Sequence, residues 1–183
     1  METGRSKPGI GSERMEVIVY RHILVPLDGS AFAEQALPHV RSLAKVSPNP
    51  VDVYLVSVAP MLQDRSVTMV SLYPFYIAQD HLEMARRELE QLEHDLRTYL
   101  AQVATTVSEW GAACHTEVRF GSPAEEILAF AEPIQADLIV MSTHGRSGIN
   151  RVVFGSEAYK LLRMSTVPIL LIRAREMVGA PSA

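Results

Sequence analysis

The chain has 183 residues, 48% of them hydrophobic and 21% charged, with a formal net charge of −4. That length suits one domain and excludes two ordinary ones, and the apolar fraction is enough to bury a real core. The acidic balance argues against a general nucleic-acid surface, and the single cysteine, Cys114, rules out a disulfide framework or a thiolate metal cluster.

Residues 1–18 are rich in Gly, Ser and charge, lack the apolar core of a signal peptide, and read as a disordered lead-in. No stretch approaches the roughly 20 apolar residues of a membrane span, so a cytoplasmic protein is the expectation. The first strand is expected over Val17 to Leu27, with its apolar density in His22-Ile-Leu-Val-Pro-Leu27. Asp28-Gly29-Ser30 then turns the chain, with Ser30 as helix N-cap. In the helix that follows, Ala33, Ala36, Leu37, Val40, Leu43 and Ala44 share one face. Pro38 falls inside that pattern and predicts a kink costing about 3 kcal/mol in a regular helix interior.

Val51 to Val58 is β-branched and mostly apolar, as in a strand buried on both faces. After Pro60 and Pro74 comes a long helix in which Leu82, Ala85, Leu89, Leu92, Leu96, Tyr99 and Val103 mark one stripe. With fewer than four heptads, the stripe reads as a helix packed on a sheet rather than a coiled coil. Its charged residues, including Glu90, Glu93, Arg86 and Arg97, read as a solvated face. Cys114 to Phe120 alternates polar and apolar, the pattern of a half-exposed edge strand. Ser122-Pro-Ala-Glu125 matches a capping box with Pro123 at the first helical position, and Pro133 stops that helix. A fourth strand runs from Ala136 to Met141. A glycine-rich loop follows, then a helix over Ser156 to Arg163 and a fifth strand over Val167 to Ile172. Residues 175–183 read as a disordered tail, leaving one domain over 19–174.

Strands alternating with helices predict an α/β domain with a mainly parallel sheet, whose ligands sit beyond the carboxyl ends of the strands. Both sharp turns, Pro26-Leu-Asp-Gly29 and the loop that begins at Ser142, follow strand ends and so share that edge. The loop Ser142-Thr-His-Gly-Arg-Ser-Gly-Ile-Asn-Arg-Val-Val-Phe-Gly-Ser156 has the makings of a phosphate site. Gly145 and Gly148 allow close backbone approach, Gly155-Ser156 open a helix N-terminus, and Arg146 and Arg151 offset charge. Asp28 is positioned to accept from ribose hydroxyls or to hold Mg²⁺ through water, although taken alone its plainer role is to form the turn, Asp-Gly being a common turn pair. The six histidines are scattered without the spacing of a zinc site, and no nucleophile elbow is visible.

Taken together, His22-Ile-Leu-Val-Pro-Leu-Asp-Gly-Ser30, Gly121-Ser-Pro-Ala-Glu-Glu-Ile127, Ala136-Asp-Leu-Ile-Val-Met141, Thr143-His-Gly-Arg-Ser-Gly148 and Val167-Pro-Ile-Leu-Leu-Ile172 resemble a universal stress protein domain, ATP-binding branch. The likeness covers about residues 19 to 173. It implies a Rossmann-like, open five-stranded parallel sheet of order 3-2-1-4-5 with helices on both faces. That branch carries a G-x2-G-x9-G-[S/T] signature. Here Gly145 and Gly155-Ser156 match, and Ser142 stands at the first glycine, where a positive φ would strain it. The resemblance implies that Pro26, Leu27 and Asp28 border the adenosine and that Val58 meets adenine. It places Met141, Ser142, Gly145, Gly155, Ser156 and Glu157 along the ribose and phosphates, with Arg146 and Gly148 in the same loop. ATP, with or without Mg²⁺, is the implied ligand, and the last strand, Val167 to Ile172, the implied homodimer contact. The implied role is a cytoplasmic stress-response module with no nucleic-acid or membrane partner and an unknown regulatory one. Two alternatives stand beside it: a nucleotide-free dimeric interaction module, and a slow Mg²⁺-dependent ATP hydrolase, for which no residue visibly positions water.

Overall fold

The computed structural model describes residues 19–59, 75–144 and 156–174. Strand β1 spans His22–Pro26 and is followed by a 3-10 turn, Ala33–Ala36, and helix α1, Leu37–Val46. Strand β2 is Asp52–Ala59, helix α2 Phe75–Ser108, strand β3 Ala113–Phe120 and helix α3 Pro123–Ala131. Strand β4 (Leu138–His144), helix α4 (Ser156–Met164) and strand β5 (Ile169–Ala174) complete the described elements. The strands form one parallel sheet of order β3-β2-β1-β4-β5. The parallel sheet is what the alternation of strands and helices predicts, and its order is the one the family resemblance implies.

Alternate residues of a strand face opposite sides, and the central strands are apolar at both parities. They therefore bury two cores. Ile23, Val25, Val53, Leu55, Leu138 and Val140 pack with Val40 of α1 and Leu100 and Val107 of α2. On the other face Leu24, Val56, Ile139 and Met141 meet Ala124, Ile127 and Ala131 of α3 and Ala158 and Leu161 of α4. The core-facing stripe of α2 comes from its second half, where Leu96, Tyr99, Leu100, Val103 and Val107 touch the first core. Earlier in α2, Arg86–Glu90 and Glu93–Arg97 form i,i+4 ion pairs in solvent, the solvated face expected.

Several local expectations are corrected. Pro38 sits in the first turn of α1, directly after the 3-10 turn. Its missing N–H would have had no helical partner there, so the expected interior kink does not arise. The regular part of β1 begins at His22 rather than Val17, residue 17 itself lying outside the described residues, and β5 begins at Ile169 rather than Val167. Strand β4 continues past Met141 to His144. The capping box is not formed. Ser122 is the N-cap of α3, but its hydroxyl makes no capping bond. Instead a distant carboxylate, Glu157 Oε2, accepts from the N–H of Ala124 at 3.2 Å.

Candidate functional site

Strand β1 is the pivot of the sheet, and one residue shapes its carboxyl end. The N–H of Leu27 donates to the carbonyl of Val56 at 2.8 Å. In a parallel strand, neighbouring residues aim their N–H and C=O groups to opposite sides, so Leu27 faces β2 and Pro26 faces β4. Pro26 has no N–H to give. The β1–β4 pairing covers Ile23↔Leu138 and Leu24↔Ile139, whereas β1–β2 pairing runs on to Pro26↔Val56 and β4–β5 pairing to His144↔Ala174. Strands β1 and β4 thus lose their mutual ladder at the carboxyl edge. This is also where the strand order reverses, the place where open α/β sheets receive ligands.

The turn after β1 is built from its own side chains. Asp28 Oδ1 accepts from the N–H of Ser30 at 3.0 Å, Gly29 takes φ +81°, and Ser30 Oγ accepts from the N–H of Ala33 at 3.1 Å. Ser30 is not the N-cap expected of it: Phe32 holds that place on the 3-10 turn, and the Ser30 hydroxyl instead takes the N–H of Ala33, the first residue of the turn. Asp28 itself is exposed, with one carboxylate oxygen fixing the turn. Beneath it, the buried Ser57 hydroxyl donates to the carbonyl of Leu27 at 2.6 Å and ties the turn to β2.

Ser142 closes the crevice from the other side. It is paired with Ile172 inside the β4–β5 ladder, and its hydroxyl donates to the carbonyl of Phe32 at 2.5 Å. Among the described non-glycine residues only Gln135 has a positive φ. The strain expected for serine at this position is therefore absent, because Ser142 is extended strand. Pro26, Val58 and Met141 share the parity of the core under α3 and α4, and Leu27 and Ser142 that of the other core. Met141 is nearly buried and Val58 half-buried.

Ser156 is exposed at the N-terminus of α4, and Glu157 lies in its first turn. The Glu157 carboxylate is already engaged, by Ala124 N–H on one oxygen and by Lys160 Nζ at 3.1 Å on the other. It links the starts of α3 and α4. Gly145, Arg146, Gly148, Arg151 and Gly155 lie outside the described residues.

Sequence reasoning missed Tyr99 and Glu34, which stand beside the Asp28 turn. The Tyr99 hydroxyl is buried and reaches no partner at full hydrogen-bonding geometry. Burial chiefly, then the nearby Glu34 carboxylate, then the charge of Asp28, push its ionisation far above the usual phenol range. A helical tyrosine 71 positions beyond Asp28 gives no local signal of this. The sequence also hides a cluster at the amino ends of the strands: His22 Nε2 is 3.9 Å and His115 Nε2 3.5 Å from the Asp52 carboxylate, and Tyr54 stacks on His115. Among the described residues, no group of three or more His, Cys, Asp or Glu side chains is placed to hold a metal ion.

Residues 19–173 match the family model described as "Universal stress protein family". The chain belongs to the universal stress protein family. A curated member, universal stress protein MJ0531 of Methanocaldococcus jannaschii, is 31% identical over 159 residues, covering 85% of this chain and 83% of that protein. Among solved structures, protein MJ0577 of the same organism superimposes with a TM-score of 0.68 at 23% identity, over 86% of this chain and 99% of the other. A universal stress protein in complex with cAMP superimposes with a TM-score of 0.58 at 17% identity, over 86% and 100%. These likenesses support the same sheet order. Within the family fold, the crevice between β1 and β4 is bordered by the Asp28 turn and Ser142. No helix among the described residues is long and apolar enough to cross a membrane.

Proposed function

We propose that this universal stress protein binds an adenine nucleotide, ATP, in the crevice where β1 and β4 part, and acts as a cytoplasmic stress-response module. Nucleotide occupancy, rather than fast turnover, is the state a regulatory partner reads. The observation that carries this reading is the loss of the β1–β4 ladder beside Pro26, with the exposed Asp28 carboxylate at its rim. One oxygen of Asp28 holds the turn and the other is left to accept from ribose hydroxyls. Leu27 borders the adenosine with Pro26 and Asp28, Val58 meets adenine, Met141 and Ser142 line the ribose and phosphates, and the N-terminus of α4 at Ser156 adds unpaired N–H donors for phosphate. Gly145, Arg146, Gly148 and Gly155 complete the phosphate cradle in this reading, with Mg²⁺ as an optional companion of the phosphates. Glu157 acts at one remove, by joining α4 to α3.

The cAMP-bound relative supports an adenine ligand for the fold. The same reading has β5 as the homodimer contact, since it is an edge strand whose Leu170 is exposed. The deciding experiment is to denature freshly purified protein and identify the released nucleotide by chromatography, with equilibrium binding of Mg·ATP in parallel. Near-stoichiometric nucleotide, or micromolar ATP binding that Gly145→Val weakens, is the expected result. An empty protein that ignores added ATP overturns the reading and leaves a nucleotide-free interaction module.

A further inference from the structure

The edge of the sheet opposite β5 leaves its backbone open. The N–H of Gly121 donates to the carbonyl of Ala59 at 2.9 Å, so the Phe120–Gly121 peptide turns its N–H toward β2 and its carbonyl away. Backbone groups along a strand change sides at each residue, and β2–β3 pairing runs unbroken from Asp52↔Ala113 to Ala59↔Phe120. Cys114, Thr116, Val118 and Phe120 therefore aim their N–H and C=O groups outward. On that side no strand pairs with β3 among the described residues.

Proteins guard such edges with a short strand, a proline, a bulge or an inward-pointing charge. Strand β3 has none of these. It is 8 residues long, free of proline and continuous in register. Its inward side chains Cys114, Val118 and Phe120 pack on the first core, and Thr116, of the same parity, is uncharged. Glu117 and Arg119 have the other parity, with His115.

The order of these residues suits a second copy of the same strand. Two β3 strands meeting antiparallel about a twofold axis at Thr116 set His115 opposite the partner's Glu117, twice. The imidazole donates and the carboxylate accepts, whereas like charges directly across a ladder are destabilising. An axis at Glu117 would bring two carboxylates face to face. An axis at Val118 would pair residues 116–120 only, where the Thr116 axis pairs 113–119. It would also draw Arg119 from Glu126, which it holds at 2.8 Å. The neighbouring helix leaves room for the pairing. Ala101, Ala104, Thr105 and Ser108 of α2 line an open groove with Cys114 and Thr116. An axis normal to the sheet brings both copies' α2 helices to one face, where these small side chains permit close approach.

We propose that β3 is a self-association edge, at which two copies of this protein join antiparallel about Thr116 into one continuous sheet. Thr116 exchanges two hydrogen bonds with the partner's Thr116, and Cys114 pairs with the partner's Val118. The contact does not depend on the nucleotide reading, and it lies at the opposite edge from β5.

The test places single cysteines in the full-length protein, in a Cys114→Ala background, under mild copper–phenanthroline oxidation. In Thr116→Cys the new thiol faces its own copy across about 5.5 Å between Cα atoms, within disulfide reach. In Glu117→Cys the two thiols are offset along the strands and their Cα atoms lie about 8 Å apart, beyond it. Thr116→Cys should give a covalent dimer on a non-reducing gel, and Glu117→Cys should not. Sedimentation at several protein concentrations then compares wild type with Thr116→Pro, and thermal melting checks folding. The proline removes an outward N–H and leaves the β2 ladder whole. It breaks both axial hydrogen bonds, so association at this edge should weaken about tenfold or more. The cysteine pair decides by itself if the proline variant does not fold. No dimer from Thr116→Cys, or equal or greater cross-linking of Glu117→Cys, overturns the inference. So does a folded Thr116→Pro that sediments like wild type, the result expected if the copies associate through β5 alone.

Discussion

Replacing Ser142 by glycine would restore the residue that the ATP-binding signature of this family carries at that position, and a motif comparison alone suggests improvement. The structure leads to the opposite expectation. Ser142 is extended strand, paired with Ile172, so a glycine's freedom at positive φ is not needed there. Its hydroxyl holds the carbonyl of Phe32 at 2.5 Å and so fastens the loop after β1 to β4. Losing that bond costs about 0.5–1.5 kcal/mol, and glycine within a strand adds roughly 0.5–1 kcal/mol of conformational entropy. Together the substitution should destabilise the protein by about 1–2.5 kcal/mol, with changes in a domain this size worth about 2–4 °C per kcal/mol. Differential scanning calorimetry of wild type, Ser142→Ala and Ser142→Gly should give a descending series in Tm, because alanine loses only the bond. ATP affinity, measured on the same samples, should fall or stay level in Ser142→Gly. An unchanged Tm, or ATP affinity gained from nothing, would refute the reasoning and show that this position needs a glycine after all.

Pro26→Ala returns an N–H on the side of β1 that faces β4. It should extend the β1–β4 ladder by one hydrogen bond, raise Tm slightly and weaken ATP binding, as read by calorimetry and equilibrium binding. A variant that binds ATP like wild type would show that the end of the ladder does not shape the crevice. The Cys114 thiol is half-buried on β3, and burial pushes its pKa up to about 11. In the native protein it should react slowly with iodoacetamide at about pH 8, well below that pKa, and faster as the pH rises toward 11. Because the folded pKa lies above the unfolded one, the proton is held more tightly in the native state. The thiol's contribution is fully present below about pH 8.5, the unfolded thiol range, and is lost as the pH climbs through the folded value. Denaturant titrations of wild type and Cys114→Ala across that window should diverge; parallel curves would count against the burial effect.

The order of elements, the parallel sheet and its two covered faces were legible in the residues because they rest on local periodicity. Val53, Tyr54, Leu55 and Val56 are apolar at both parities, which only a strand covered on both sides requires. The Asp28-Gly29-Ser30 turn was equally legible, since its bonds span two or three residues. Even there, local chemistry had limits. Pro38 reads as a helix interior by pattern, and only the intervening 3-10 turn moves it to a first turn. The capping box reads well over Ser122 to Glu125, yet the Ser122 hydroxyl makes no capping bond, and the neighbouring Ala124 N–H is taken by Glu157, 33 positions away.

The site divides along the same line. Sequence by itself determined that Asp28 follows a buried strand and that a glycine-rich loop follows another. Only the tertiary structure decided that Pro26 faces β4, since a missing N–H has a direction only once the neighbouring strands are in place. Only the fold brings Ser142 to Phe32 across 110 positions, or sets Tyr99 beside Glu34 and Asp28. Hydrogen-bonding capacity belongs to a residue and can be read from its type, whereas the partner that satisfies it is set by how distant segments pack.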